Sequence, residues 1–270
     1  MPRLPTLFIS HGSPTFALEP GQAGPALIAL GRRLPRPQAM LVVSPHWTTR
    51  DPRVATTPRP TTIHDFGGFP PALYQLQYPA PGAPEVAQRA IDRLRAAGYP
   101  AEADTQWGLD HGAWVPLLHL WPQADVPVFQ VSLPAGLDGE RAYAYGQALA
   151  PLTDEGVLVI GSGSLTHNLY EVRFDAPDAA AETYALEFVH WIRTVLTARD
   201  HARLQQTMTL APHARRAHPT PEHLWPLMVA AGAAGDQVSA MRVEGGMTHG
   251  VLSMDAYCFG DVPEGAGTAA

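Results

Sequence analysis

The chain has 270 residues and a formal net charge of −7, and only 16% of its residues are charged. Its single cysteine, Cys258, excludes an internal disulfide and a cysteine-ligated zinc or iron–sulfur site. All 18 basic residues are arginine, which excludes a Schiff-base lysine and a Walker A lysine. No basic run points to nucleic acid, no apolar run approaches the ~20 residues of a membrane span, and the N-terminus lacks a signal-peptide pattern. We therefore expect a cytoplasmic protein without a nucleic-acid or membrane partner.

Apolar runs and helical spacings alternate along the chain. Strands are predicted at 6–10, 39–44, 126–133, 157–161 and 238–243. Helices are predicted at 23–34, 84–97, 139–152, 179–198 and 222–234. Residues 51–83, rich in proline and glycine, are predicted to form a long irregular loop.

This alternation predicts an α/β fold, a three-layer α/β/α sandwich around a mainly parallel or mixed sheet. Continuous apolar strands such as 39–44 are typical of a sheet covered on both faces. No repeat or linker divides the chain, so we expect one domain over residues 1–260 and a flexible tail over 261–270. The sequence favours no particular oligomeric state.

Histidine is the residue type that points most clearly to chemistry, with 12 copies. Six of them follow a predicted strand, open a predicted helix or lie beside glycine: His11, His46, His167, His223, His111 and His249. Ligands of open α/β sheets bind beyond the carboxyl ends of the strands, so several of these imidazoles can share one crevice. Spacing alone favours a multi-histidine metal site only slightly over separate, hydrogen-bonded loop histidines.

The other six histidines carry no such signal. Five are expected to be ordinary hydrogen-bonded residues: His64, His119, His190, His201 and His213. His218 is expected to cap or hydrogen-bond its own loop.

Six motifs together say more than any one of them. They occur in this order: Ser10-His11-Gly12-Ser13-Pro14, Ser44-Pro45-His46-Trp47, Asp65-Phe66-Gly67-Gly68-Phe69-Pro70, Leu109-Asp110-His111-Gly112, Ser164-Leu165-Thr166-His167-Asn168-Leu169 and His218-Pro219-Thr220-Pro221-Glu222-His223. The set closely resembles the DOPA 4,5-dioxygenase family of extradiol ring-cleaving enzymes, within the class III group typified by the catalytic subunit of protocatechuate 4,5-dioxygenase. The resemblance covers residues 4–259 and is more specific for the family than for the substrate.

The resemblance implies one divalent metal held by His11, His46 and His223, with Fe(II) required for activity and Zn(II) found in bacterial relatives. It implies that His167 faces the same metal, as the acid/base or as an additional ligand. The wider class III group uses two histidines and one glutamate. Here His223 stands where that carboxylate is expected, with Glu222 beside it, which matches the DOPA branch and removes one negative charge from the metal.

The remaining roles implied by the resemblance concern the substrate, a small catechol that reacts with O2 and is opened beside its diol. His111 would assist catalysis, and His249 would lie close to the metal ligands or the substrate. Trp47 and Phe69 would contact the aromatic ring.

Two other functions stay open at this point. Three histidines can also activate water in a zinc hydrolase. Memo-type proteins resemble the same superfamily, so the fold is also compatible with a non-enzymatic binding protein. Iron dependence and oxygen uptake with a catechol would distinguish the dioxygenase from both.

Overall fold

A mixed β-sheet forms the centre of the molecule in this computed structural model, which describes residues 3–262. The strands are β1 Thr6–Ser10, β2 Ala39–Thr49, β3 Arg53–Ala55, β4 Glu102–Asp104, β5 Val128–Pro134, β6 Val157–Gly163, β7 Ala240–Val243, β8 Met247–Thr248, β9 Leu252–Ser253 and β10 Ala256–Phe259. Eight of them form the sheet in the order β4-β3-β5-β2-β6-β1-β10-β7, while β8 and β9 form a separate hairpin. The central strands β5, β2, β6 and β1 are parallel to one another. On one side of the sheet, β10 is antiparallel to both of its neighbours, β1 and β7.

Helices cover both faces of this sheet. They are α1 Ala23–Arg33, α2 Pro84–Ala96, α3 His111–Leu120, α4 Gly139–Leu149, α5 Pro151–Asp154, α6 Thr183–Thr197, α7 His201–Gln205, α8 Thr207–Leu210, α9 Ala214–Ala217 and α10 Trp225–Ala234. One hydrophobic cluster contains residues of α2, α4, α6 and α10, and a second contains residues of α1 and α3. The predicted three-layer α/β/α sandwich with a mixed sheet is therefore confirmed.

Alternation within the central strands explains how one apolar run fills two cores. In β2, Leu41 and Val43 belong to the first cluster, whereas Met40 and Val42 belong to the second. Successive side chains of a strand point to opposite faces, so an unbroken apolar sequence is required when both faces are buried.

Close backbone packing joins α10 to β6. A Cβ at Gly161 would overlap the carbonyl of Pro226, and a Cβ at Gly163 would overlap the carbonyl of His223. Glycine lets two backbones approach this closely because it has no side chain. This approach fixes the chain segment that carries His223 against the carboxyl end of β6.

Several predicted boundaries need correction. The predicted strand at 39–44 continues to Thr49, and the helix expected at 222–234 begins at Trp225. The helix expected at 139–152 is divided into α4 and α5 before Pro151, where proline removes a backbone donor. The region 51–83, expected to be wholly irregular, contains β3 and a short 3₁₀ turn at Pro71–Gln75.

Some elements carry no prediction at all, namely α3, β4, β8 to β10 and the short helices α7 to α9. Of the expected flexible tail at 261–270, residues 263–270 lie outside the described residues. Within residues 3–262, no helix has both the length and the apolar character needed to cross a bilayer.

Candidate metal and catalytic centre

Five histidines converge at the carboxyl edge of the central parallel strands. His11 directly follows β1, His167 follows β6 by a short loop, and His111 is the first residue of α3. His46 lies in β2 where the pairing with β5 shifts register between Ser44 and Thr48, and such an irregularity redirects a side chain. His223 precedes α10. The sheet edge therefore brings together residues that are far apart in sequence, as expected for a ligand site in an open α/β sheet.

His11, His46 and His223 have the geometry of a metal-binding set. Their ligand nitrogens all lie within 4.8 Å of one another. The Nε2 atoms of His11 and His46 are 3.1 Å apart, close to the roughly 3.3 Å between two nitrogens bound tetrahedrally to one zinc ion. The Nε2 atom of His223 is buried and lacks a hydrogen-bond partner. A metal ion would satisfy this nitrogen, so these residues fit the group that the resemblance implies.

Hydrogen bonds on the outer side of two imidazoles orient their nitrogens. The Ser162 hydroxyl donates its proton to the Gly112 carbonyl, so it must accept from the His11 Nδ1–H, 3.0 Å away. The Nδ1 atom of His223 lies 3.1 Å from Glu222 Oε1, which also requires a proton on Nδ1. In both rings Nε2 is left as the lone-pair donor, the arrangement that metal-binding histidines usually show.

Asp65 connects two further histidines of the cluster. Its Oδ1 atom accepts the backbone N–H of His111 at 2.9 Å, and its Oδ2 atom lies 3.9 Å from His46 Nδ1. His111 Nδ1 is 3.0 Å from Oδ1 but without hydrogen-bond geometry, so this buried nitrogen has no directed partner. Burial alone would raise the pKa of Asp65, but the contacts with His111 and His46 outweigh it and lower that pKa. Asp65 is thus an anion beside the histidines.

Four of the five imidazoles, those of His11, His46, His167 and His223, are neutral near pH 7. Burial, reinforced by the neighbouring His111, lowers the pKa of His46 to about 3. Burial likewise lowers the pKa of His167 to about 4, and it lowers the pKa of His11 and His223 well below the usual range. Neutral imidazole is the form that binds metals and accepts protons.

A cavity of about 220 Å³ opens over the cluster. We define its floor as the five histidines, His11, His46, His111, His167 and His223, and its rim as the apolar side chains of Phe66, Phe69, Leu169 and Phe174. The rings of His167 and His223 stack with centroids 3.5 Å apart. A polar floor below apolar walls is typical of small-ligand sites, and an apolar cavity of about 150 Å³ already accommodates benzene.

Not every residue expected to contact the substrate lies at this cavity. Phe69 does, and its ring meets that of Phe66 edge to face with centroids 5.4 Å apart. Trp47 does not line it, because its ring is buried and stacks on Trp107 with centroids 4.8 Å apart. His249 lines a neighbouring cleft instead.

The histidines expected to be ordinary do have local partners. The expectation that His218 hydrogen-bonds its own loop is wrong, because its Nε2 atom lies 2.9 Å from the Leu165 carbonyl in the loop after β6. The others contact these groups: His64 the Leu76 carbonyl, His119 the Phe16 carbonyl, His190 the Arg193 guanidinium, His201 the Asp236 carbonyl and His213 the Glu187 carboxylate.

Sequence reasoning does not single out three residues that the structure puts in the centre, namely Asp65, Phe66 and Ser162. Asp65 and Phe66 lie inside a motif that carried the resemblance, so the motif was visible but its contacts were not. Ser162 was part of an expected strand end, and nothing in the sequence distinguishes it from any serine in a turn.

The fold and the imidazole-floored cavity define an α/β protein with a histidine cluster that has the geometry to hold a metal ion, below a cavity of small-molecule size. A family model described as the catalytic LigB subunit of aromatic ring-opening dioxygenase matches residues 5–257. The chain belongs to this family, which confirms the resemblance drawn from the six motifs. It is an enzyme, an extradiol ring-opening dioxygenase, and the hydrolase and binding-protein alternatives are not favoured.

Individual relatives agree with this assignment. The chain is 43% identical over 258 residues to a 4,5-DOPA dioxygenase extradiol of Beta vulgaris, covering 94% of this chain and 96% of that protein. It is 40% identical over 256 residues to the protein of the same description from Escherichia coli K12, covering 93% of each. The crystal structure of an uncharacterized Escherichia coli K12 protein superposes with a TM-score of 0.80 at 32% identity, covering 96% of this chain and all 100% of the other.

Proposed function

We propose that this enzyme opens a DOPA-like catechol with O2 at one mononuclear metal site held by His11, His46 and His223. The observation that carries the proposal is the buried, unpartnered Nε2 of His223, close to the facing Nε2 atoms of His11 and His46. The relatives described as 4,5-DOPA dioxygenases support the choice of catechol.

Fe(II) is the proposed active metal, and Zn(II) is the proposed inactive occupant. An iron ion held by His11, His46 and His223 would supply the redox chemistry that O2 needs and open positions for the two catechol oxygens, whereas zinc has no redox chemistry. Three neutral imidazoles contribute no charge, so the diol supplies the negative charge that the wider group takes from a glutamate.

His167 is the proposed base that removes a catechol proton. It is neutral near pH 7, because its pKa is lowered to about 4, and its ring stacks on that of His223. The three proposed ligands His11, His46 and His223 form a set of mutually close ligand atoms that does not include His167. His167 is close in this way only to Glu222 and His223, which favours a base over an additional ligand. His111, beside the anionic Asp65, is the proposed second catalytic residue.

The rim holds the aromatic ring in this proposal. Phe69 and Phe66 present ring surfaces to the cavity, and aromatic pairs favour edge-to-face or offset stacking. Trp47 is proposed to support the site through its stack on Trp107 rather than by touching the substrate.

The decisive experiment compares Fe(II)-loaded and Zn(II)-loaded protein prepared anaerobically. With a panel of catechols that includes DOPA, the iron form is expected to take up about one O2 per catechol and to give a yellow product heavier by one O2. The zinc form should bind catechols without oxygen uptake. No iron-dependent uptake with any catechol would contradict the proposal, and a product cleaved between the two hydroxyl-bearing carbons would contradict the position of cleavage.

A further inference from the structure

The loop that carries His167, residues 164–167, is held by hydrogen bonds on two sides. One side meets the chain segment that leads to His223. The backbone N–H of His167 donates to the Ala217 carbonyl at 2.8 Å, and the N–H of Ser164 donates to the His223 carbonyl at 2.9 Å. Because His167 lies on a loop rather than on a strand or a helix, the position of its imidazole depends on how this loop is fixed.

The side chain of His218 adds a further bond on that side. The residue is only 1% exposed, and its Nε2 atom lies 2.9 Å from the Leu165 carbonyl, so Nε2 carries a proton and donates it. His218 directly follows Ala217, which binds the backbone of His167. Two neighbouring residues thus bind both ends of the stretch 165–167, which leaves its backbone little freedom to rotate.

Thr166 holds the other side of the loop. Its hydroxyl donates to the Val251 carbonyl at 2.7 Å and accepts from the Ser253 backbone N–H at 2.8 Å. Thr166 is 1% exposed, so water does not compete for these bonds. They tie the loop to β9, whose residue Leu252 lines the histidine cavity.

Packing alone does not account for a histidine at position 218. With the proton on Nε2, the Nδ1 atom is an acceptor, and it is buried without a hydrogen-bond partner among residues 3–262. An unpaired buried acceptor costs free energy that an apolar side chain of similar size would avoid. Departures of this kind from good packing are expected where a side chain serves the function. The observation favours a role for the bond that Nε2 makes to the loop.

We infer that His218 and Thr166 are positioning residues for His167, because they hold the loop 164–167 so that its imidazole faces the bound catechol. Neither side chain lines the cavity, so both act through the loop rather than on the substrate. The inference rests on the proposed function, since it takes His167 as the base. A base transfers a proton only within hydrogen-bond reach of its substrate, so a small displacement of the loop is costly.

The experiment compares His218→Leu, which removes the donor at similar volume, with His218→Gln, whose amide donates from the corresponding atom. We measure kcat per bound iron with the catechol that the Fe(II)-loaded wild type converts fastest. His218→Leu should lose about 10- to 100-fold in kcat, the loss expected when a reacting group is displaced by about 1 Å. Its KM, its metal content and the catechol affinity of its Zn(II)-loaded form should stay close to wild type. His218→Gln should regain most of the kcat.

His119→Leu is the matched control. His119 is also a buried histidine, 8% exposed, and its Nε2 atom likewise lies 2.9 Å from a backbone carbonyl, that of Phe16. It does not line the cavity, so this variant should lose the same kind of bond without a loss in kcat.

A double variant tests whether His218 acts through His167. If it does, His218→Leu should reduce kcat no further in the His167→Gln background, because the residue that it positions is already inactive. Thr166→Val keeps the side-chain shape but removes the hydroxyl. It should lower kcat in the same selective way, and it decides the matter if His218→Leu does not fold.

Unchanged kcat in either folded variant, His218→Leu or Thr166→Val, would overturn the inference. So would a loss that His218→Gln does not restore, an equal loss in His119→Leu, or a full further loss in the His167→Gln background. A parallel loss of metal or of catechol affinity would reduce His218 to a structural role and also overturn it. All these results leave the proposed function intact, whereas absence of turnover by the Fe(II)-loaded wild type would overturn the proposed function itself.

Discussion

The floor and the rim of the cavity are built in opposite ways. The floor histidines are attached to strand ends and helix starts. The rings of His11 and His223 donate hydrogen bonds to Ser162 and Glu222, and the backbone N–H of His111 donates to Asp65. The rim side chains lie on loops, and Leu169 and Phe174 are 53% and 55% exposed. Rigid elements position reacting groups well, whereas loops tolerate change. The difference indicates that the chemistry is set by the floor and that substrate preference can vary at the rim.

Removing a floor ligand should have the largest effect. The variants His11→Ala, His46→Ala and His223→Ala should each lose nearly all bound metal and all measurable turnover, because each removes one of three proposed ligands. Metal analysis by mass spectrometry checks this, with His190→Ala, an exposed histidine of α6, as control. Stoichiometric metal in all three variants would refute the assignment.

Changing the proposed base should separate turnover from metal binding. His167→Gln should keep most of the metal and lose about 10²–10⁴-fold in kcat, because glutamine hydrogen-bonds but does not transfer a proton at neutral pH. Near-normal kcat would assign the base elsewhere, with His111 next in line. Loss of the metal would make His167 a ligand.

Acid should destabilise the folded protein through the buried His218. Burial lowers the pKa of His218 from its usual 6.5 to about 4, so the unfolded chain binds a proton that the folded chain refuses. The contribution of His218 to the free energy of unfolding is fully present above pH ~6.5. As the pH falls to ~4, the free energy of unfolding decreases by roughly 3 kcal/mol from this residue alone. Urea unfolding of metal-free protein between these pH values measures the fall. His218→Asn should reduce the slope by about one proton, and an unchanged slope would contradict the account.

Loss of the Ser162 hydroxyl, which accepts a hydrogen bond from His11, should lower the metal affinity without removing a ligand. Ser162→Ala leaves His11 Nδ1 without its acceptor, so metal affinity should fall about 10- to 100-fold. Competition with a chelator measures the affinity, and the exposed Ser239→Ala is the control. Equal affinity in wild type and Ser162→Ala would show that the tautomer of His11 does not depend on Ser162.

The smallest effect is expected at the rim. Phe69→Ala should raise KM for a catechol roughly 5-fold and leave kcat and metal content nearly unchanged, because one aromatic contact contributes about 1 kcal/mol. Tyr170→Ala serves as control, since Tyr170 is 90% exposed and does not line the cavity. A large fall in kcat would mean that the rim also positions the reacting groups.

Local signals predicted the strands that carry the floor. The runs at 6–10, 39–44 and 157–161 are mostly apolar because two cores cover them, and a histidine follows each run within about six residues. Helix α3 gave no such signal, since it is buried on nearly all sides and contains Pro116. Strand β10 pairs with β1, which lies about 250 residues earlier in the chain. No local sequence pattern indicates a pairing between strands so far apart.

The contacts around the histidines were less predictable than the histidines themselves. The six motifs identified the family and the members of the floor. Trp47 lies inside one of the six motifs and His249 lies beside a glycine outside them, but the fold turns Trp47 toward Trp107 and His249 into the adjacent cleft. Side-chain direction depends on backbone geometry, such as the register shift in β2 and the positive φ of 54° at His249, which a sequence does not display.

The close packing of α10 on β6 also concerns the lifetime of the protein in the cell. His223 immediately precedes the α10 region, and α10 is buried along its whole length against β6. A ligand that binds His223 therefore also stabilises the packing of α10 on the central sheet. A ligand that binds only the native state adds about 4 kcal/mol of stability at a 1,000-fold excess over its Kd. Copies that fail to acquire metal should therefore melt at a lower temperature and be degraded first, so the supply of metal would set the amount of enzyme as well as its activity.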